Sequence, residues 1–146
     1  MLHEIQKLRE QTGAGVMECK KAFTDSGGDF NHAIKLLEER GLKKADSKAS
    51  RKTGAGRLES YIHNARVGVL LEVRCETDFV ANSDVFKHLA RELAMQIAAM
   101  NPESAEALME QPFIKDESIT IKNLVKNTVA KLGENIQVAR FVRYEL

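Results

Sequence analysis

The residues best placed to do chemistry stand together in Cys75-Glu76-Thr77-Asp78-Phe79-Val80-Ala81-Asn82. A carboxylate and a phenyl ring share the tip of this stretch, and no general base or activated nucleophile stands beside them. The chemistry available is therefore contact rather than bond making. The ring of Phe79 either enters a pocket in another molecule or plugs the core beneath its own turn, and the local pattern leaves both open. The rest of the chain offers no competing site. His3, His32, His63 and His88 have no metal-ligand spacing with one another or with Cys19 and Cys75, so neither a metal nor a cofactor is expected. A phosphate-cradling GxxxxGK[ST] loop is absent, and Gly13-Ala14-Gly15 follows a helix rather than a strand, unlike a dinucleotide fingerprint. No Ser or Cys occupies a nucleophile elbow. The chain reads as a protein that acts by binding another macromolecule, not as an enzyme.

Elements on both sides must hold the Thr77–Val80 stretch. Val67 to Cys75 is aliphatic and β-branched, with Val69, Leu71, Val73 and Cys75 on one face, the period of a half-buried strand. Asn82-Ser83-Asp84 supplies helix N-cap residues. Phe86, Leu89, Ala90, Leu93, Ile97 and Met100 then follow at helical spacing, up to the stop at Asn101-Pro102. A loop between a strand and a long amphipathic helix sits on a rigid scaffold, where functional residues concentrate.

Residues 1–42 read as three short helices. Leu2, Ile5 and Leu8 face inward in the first, and Thr12-Gly13-Ala14-Gly15 breaks it. Val16, Cys19, Lys20 and Phe23 form the stripe of the second; Phe30, Ala33, Ile34 and Leu37 that of the third, with Asp29 as N-cap and Gly41 as C-cap. Residues 43–56 lack an apolar period and carry five basic residues against one acidic, reading as a basic linker, helical at most at its start. This charge run is either a solvated tether or a contact for phosphates or an acidic partner. Residues 57–146 read as an α+β unit. Leu58–Arg66 and Val67–Cys75 make a hairpin with Asn64-Ala65-Arg66 at its turn. The long helix follows, then a short helix in Glu103–Glu110 and another from Thr120 to Gly133. The last strand runs over Asn135–Glu145, with Ile136, Val138, Val142 and Tyr144 on one side. The order β-β-α-α-β gives a three-stranded antiparallel sheet with helices on one face, and its bare face invites self-association.

The balance of 22 Lys+Arg against 21 Asp+Glu gives a net charge of +1, so no global field attracts nucleic acid or an anionic membrane. No apolar run approaches the ~20 residues that span a bilayer. The 5% aromatic content, without basic–aromatic interleaving, gives no base-stacking module. Two cysteines far apart on apolar faces are expected as buried free thiols in a reducing, cytoplasmic compartment.

Longer motifs add a family. Leu8-Arg9-Glu10-Gln11-Thr12-Gly13-Ala14-Gly15-Val16-Met17-Glu18-Cys19-Lys20-Lys21-Ala22 resembles the N-terminal signature of elongation factor Ts, and Glu76-Thr77-Asp78-Phe79-Val80-Ala81-Asn82 resembles its second signature. Leu132-Gly133-Glu134-Asn135-Ile136 and Arg140-Phe141-Val142-Arg143-Tyr144-Glu145 are also similar, so the resemblance runs through nearly the whole chain. It implies a ubiquitin-associated-like domain over 1–42 and a guanine-nucleotide exchange factor whose partner is elongation factor Tu. It implies that Thr77, Asp78, Phe79 and Val80 form the working tip, with Phe79 wedged near the partner's Mg²⁺ and phosphate site. It also implies that Arg9, Val16 and Met17 lie on the first docking surface. Asp78 either supports the displacement or caps the following backbone as an Asx-type turn.

The chain departs from the family's common pattern twice. Longer members carry two related core halves where this one has a single unit, which suggests that two chains pair through their sheets as a homodimer. The segment between Pro102 and Gln111 is too short for the family's helical-hairpin insertion. Two other readings compete. A ubiquitin-associated-like adaptor leaves the Thr77–Val80 loop without a purpose, and an RNA-binding scaffold using the basic linker conflicts with the near-zero net charge.

Overall fold

A computed structural model describes residues 1–146, and the chain forms seven helices and five strands. Helices α1 (Leu2–Thr12), α2 (Val16–Asp25) and α3 (Phe30–Lys48) come first. Gly13 turns α1 into α2 with a left-handed φ of 71°, its N–H donating to the Arg9 carbonyl at 2.8 Å. The three helices close over Ile5, Leu8, Cys19, Ala22, Ala33 and Leu37. Leu2, expected on the buried face of α1, is exposed instead, at the first residue of the helix, and burial begins one turn on, at Ile5.

Gly41 is not a C-cap. Helix α3 runs through it to Lys48, so the start of the expected linker is helical. A helix-interior glycine is unfavourable by roughly 0.5–1 kcal/mol relative to alanine. Packing against α7 (Ile121–Leu132) outweighs that here. Gly41 faces the Ala130 side chain across that contact, where a Cβ would stand at an ordinary packing distance of 3.5 Å. Further along α3, Ala45 is buried in the same core cluster as Val125 and Val129 of α7, and the Lys126 ammonium meets the Asp46 carboxylate at 2.7 Å.

Strands β1 (Ala55–His63), β2 (Val67–Cys75) and β5 (Gln137–Glu145) form an antiparallel sheet in the order β1-β2-β5. Val69, Leu71, Val73 and Cys75 are all buried, as the alternation in β2 requires, beneath α5 (Asp84–Met100). The β1–β2 turn places Asn64 and Ala65 in the left-handed region, at φ 51° and 57°. In β5 the expected single face is broken. Arg140 stands opposite Glu72 and Val138 opposite Val73, so Ala139 is the extra residue of a bulge. The alternation inverts across it: Ile136 and Val138 face the core, as does Phe141, whereas Val142 and Tyr144 turn outward.

Between α5 and α7 the chain makes α6 (Ala105–Glu110) and a small hairpin, β3 (Pro112–Phe113) with β4 (Asp116–Thr120), which the sequence pattern did not suggest. Gln96, fully buried on α5, holds it. Its amide donates to Gln111 Oε1 and the Pro112 carbonyl, at 3.2 and 3.1 Å, and its Oε1 accepts the Ile114 N–H at 3.0 Å. No helix is long and apolar enough to cross a membrane.

Candidate functional site

Between β2 and α5 the chain makes one helical turn, α4 (Asp78–Ala81), rather than the expected loop. Thr77 is its N-cap, the hydroxyl oxygen accepting the Val80 N–H at 3.3 Å. The Ala81 N–H donates to the Thr77 carbonyl, and the Asn82 N–H and side-chain amide both donate to the Asp78 carbonyl, at 3.1, 3.1 and 3.0 Å. Ser83 then caps α5 by accepting the Phe86 N–H. The turn is thus capped at its start by Thr77 and closed at its end through the Asp78 carbonyl.

This geometry separates the side chains. Val80 and Ala81 point inward and are buried, anchoring the turn in the core. Thr77 and Asp78 are exposed, and Phe79 is 88% exposed. Phe79 is therefore no core plug. Capping falls to the Thr77 hydroxyl, not to Asp78, whose carboxylate stays on the surface beside the ring. The ring is thus left free for contact with another molecule.

A clamp that sequence reasoning did not single out sits beneath the turn. One carboxylate oxygen of Glu134 accepts the N–H groups of Glu76 and Thr77, at 3.1 and 3.0 Å, and the other accepts the Thr77 hydroxyl at 2.7 Å. The next residue, Asn135, is 4% exposed and extends the tie. Its N–H donates to the Glu76 carboxylate at 2.6 Å, while its side-chain amide donates to the carbonyls of Ala49 and Arg51, at 3.3 and 2.8 Å. One signal was available. Gly133 ends α7 with a left-handed φ of 76°, and an acid immediately past a helix C-terminus meets the negative end of the helix dipole. Such an acid is stable there when donors from elsewhere reach it.

Cys75 lies under the same turn and donates its S–H to the Thr77 carbonyl at 3.2 Å. Burial pushes its thiol pKa up, and the neighbouring Glu134 carboxylate adds to that. The second group of expected contact residues stands elsewhere. Arg9 is on α1, and Val16 and Met17 open α2; all three side chains are exposed around the Gly13–Gly15 corner. Helix α4 packs on β1, β2 and α5, whereas α1 and α2 pack on each other and on α3. The fold thus carries two separate candidate surfaces. Neither contains a cluster of His, Cys, Asp and Glu that could hold a metal ion.

Residues 6–106 and 76–146 match the protein family described as Elongation factor TS. The chain belongs to the elongation factor Ts family. It is 41% identical over 186 residues to Elongation factor Ts of Thermodesulfovibrio yellowstonii, covering 97% of this chain and 94% of that protein. It is 39% identical over 188 residues to Elongation factor Ts of Fervidobacterium nodosum, at 97% and 95%. The chloroplastic polyprotein of elongation factor Ts from Oryza sativa is 42% identical over 188 residues, but the chain spans only 17% of that protein's length. These alignments run over at least 186 positions against a chain of 146, so the elongation factor Ts relatives carry about forty residues with no counterpart here.

Proposed function

We propose that this member of the elongation factor Ts family is a translation elongation factor that binds elongation factor Tu·GDP and promotes GDP release. The observation that carries this reading is the Phe79 ring, 88% exposed on a turn capped by Thr77 and closed by hydrogen bonds to the Thr77 and Asp78 carbonyls. Phe79 enters the partner near its Mg²⁺ and phosphate site, and Asp78 supports the displacement with its uncommitted carboxylate. Arg9, Val16 and Met17 dock on the partner's GTPase domain. No covalent chemistry is involved. A factor that binds the GTPase more tightly without nucleotide must, by reciprocity, weaken nucleotide binding in the complex. Mg²⁺ neutralises the phosphates of such a GTPase, so disturbing its site releases GDP and lets GTP rebind.

Stopped-flow release of a fluorescent GDP analogue from elongation factor Tu tests this. The chain accelerates release, and Phe79→Ala removes most of the effect, over tenfold for a hot-spot ring worth ~2 kcal/mol. Acceleration that survives Phe79→Ala moves the mechanism to Asp78 or to the α1–α2 surface. No acceleration by a folded chain rejects the reading.

A homodimer belongs to the same proposal. Leu58, Ile62, Leu70, Val142 and Tyr144 stay exposed on the outer face of the sheet, flanked by Glu72 between Arg74 and Arg140 at 2.8 and 2.9 Å. A contiguous apolar face on a three-stranded sheet supports pairing with its copy from a second chain. Light scattering that gives a monomer mass at micromolar concentration rejects this part alone. Two free, buried cysteines fit a cytoplasmic setting.

A further inference from the structure

We propose that Glu134 is the positioning residue of the Phe79 turn: its carboxylate fixes the backbone from which the ring projects and so sets how well the ring works. The inference rests on the exchange reading for its effect on rate, though not for the mechanics. Three donors converge on this one carboxylate, two backbone N–H groups and one hydroxyl, from consecutive residues at the base of the turn. Hydrogen bonds to a charged acceptor are roughly twice as strong as neutral ones. The two N–H groups belong to Glu76 and Thr77, between the end of β2 and the start of α4, where neither sheet nor helix supplies a backbone acceptor. Without Glu134 they turn to water, and the entry to the turn loses its only fixed acceptor.

The Thr77 hydroxyl carries the effect further. It donates to Glu134 while accepting the Val80 N–H, so its orientation is set at both ends. Phe79 lies between those two fixed points. A side chain that must enter a pocket pays for any rotational freedom it loses on entry, so a turn ordered in advance binds better with no added contact. Glu134 makes no hydrogen bond to Asp78 or Phe79; it acts through Thr77.

The test uses a property of the sequence. The chain has no tryptophan, so Phe79→Trp places its one indole at the tip, where it can be excited apart from the two tyrosines. Time-resolved anisotropy should show a large slow component, from tumbling with the whole protein, beside the fast ring motion of any exposed side chain. Adding Glu134→Ala should enlarge the fast component at the expense of the slow one, whereas Glu134→Gln, which keeps an oxygen for both N–H groups, should restore most of the slow one. Unchanged anisotropy in a folded Glu134→Ala chain overturns the proposal, whatever the exchange assay shows. In the GDP-release assay, Glu134→Ala should slow release at saturating factor on the order of tenfold, with Glu134→Gln within about twofold of the parent.

Combining Glu134→Ala with Phe79→Ala should then cost nothing beyond Phe79→Ala alone, because the two act as one unit. Losses that add also overturn the proposal. If Phe79→Ala leaves exchange intact, the exchange role of the turn fails, and the anisotropy still decides on Glu134. Thr77→Val, which removes the hydroxyl from the other side of the same bond, should free the indole too and replaces Glu134→Ala if that variant does not fold. A rigid indole in Thr77→Val would then overturn the proposal.

Discussion

Arg143 should be among the most sensitive stability positions outside the apolar core. Its guanidinium lies under the sheet and donates through Nε and Nη2 to one acceptor, the Ala98 carbonyl, at 3.1 and 2.9 Å. That carbonyl belongs to the last turn of α5, where its ordinary donor would be the N–H of residue 102. Residue 102 is proline and has none. Asn101, left-handed at φ 47°, sends its own N–H to Ile97 instead. Ala98 is buried, so the Arg143 side chain is the donor this carbonyl has. Removing a charged partner from a buried acceptor costs about 1.5–3 kcal/mol, and the loss of a cation at a helix C-terminus adds a few tenths. The ion pair with the exposed Glu145 contributes little. Arg143→Met keeps the apolar stem and removes the donors, so about 2 kcal/mol should be lost. With a urea dependence of about 2 kcal/mol per molar, the unfolding midpoint should fall by about 1 M. Arg143→Lys, with a single flexible donor, should recover part of it. A midpoint for Arg143→Met within 0.2 M of the parent would refute the reasoning, since the carbonyl would then be satisfied without Arg143.

Three further expectations follow from the backbone and the thiols. Ala65→Gly relieves a left-handed alanine at φ 57° and should raise stability by about 1 kcal/mol in the same urea titration; a lower midpoint contradicts it. Gly56→Ala should do the reverse, by 2 kcal/mol or more on the order of an overpacked site. A Cβ there would stand 2.3 Å from the Val73 carbonyl oxygen, and a melt unchanged from the parent would show that the strand can move away. Burial holds the thiols of Cys19 and Cys75 above their ordinary pKa. A folded-state pKa raised above the unfolded value gives stability that is complete below the unfolded pKa and is lost as pH rises. Urea midpoints should therefore fall as pH climbs from about 8.5. Replacing both cysteines by alanine should flatten that slope, and a slope that persists assigns it to other groups.

Much of this architecture was legible because local pattern and tertiary demand agree. The alternation of Val69, Leu71, Val73 and Cys75 survives intact because one face of β2 is buried along its whole length. Thr120 and Gly133 bound α7 as cap chemistry requires. The failures come from contacts between distant segments. Gly41 read as a stop because what carries α3 past it is packing on α7, whose Ala130 lies nearly ninety residues away. The bulge at Ala139 has no marker within β5; it is set by register against β2. At the candidate site, Phe79 was identified by type and place, but its exposure depended on Val80 and Ala81 taking the buried side of a helical turn. Glu134 was hidden for the reason Gly41 was: its meaning lies 57 and 58 residues back, at Thr77 and Glu76.

The uninterrupted helix α3 has a consequence for how the two proposed contacts would add. A flexible tether between the α1–α2 corner and the Phe79 turn would dilute the second contact over all the volume its loop can sample. Nineteen helical residues make instead a strut of about 28 Å. Its far side is seated on α7, and the chain just beyond its end is held by Asn135. Once one surface has landed, the other arrives at a fixed distance and angle, with almost no search left to perform. Avidity then becomes a matter of shape: a partner whose two sites match the strut gains nearly the full product of both affinities, and one whose sites do not match gains nothing from the second.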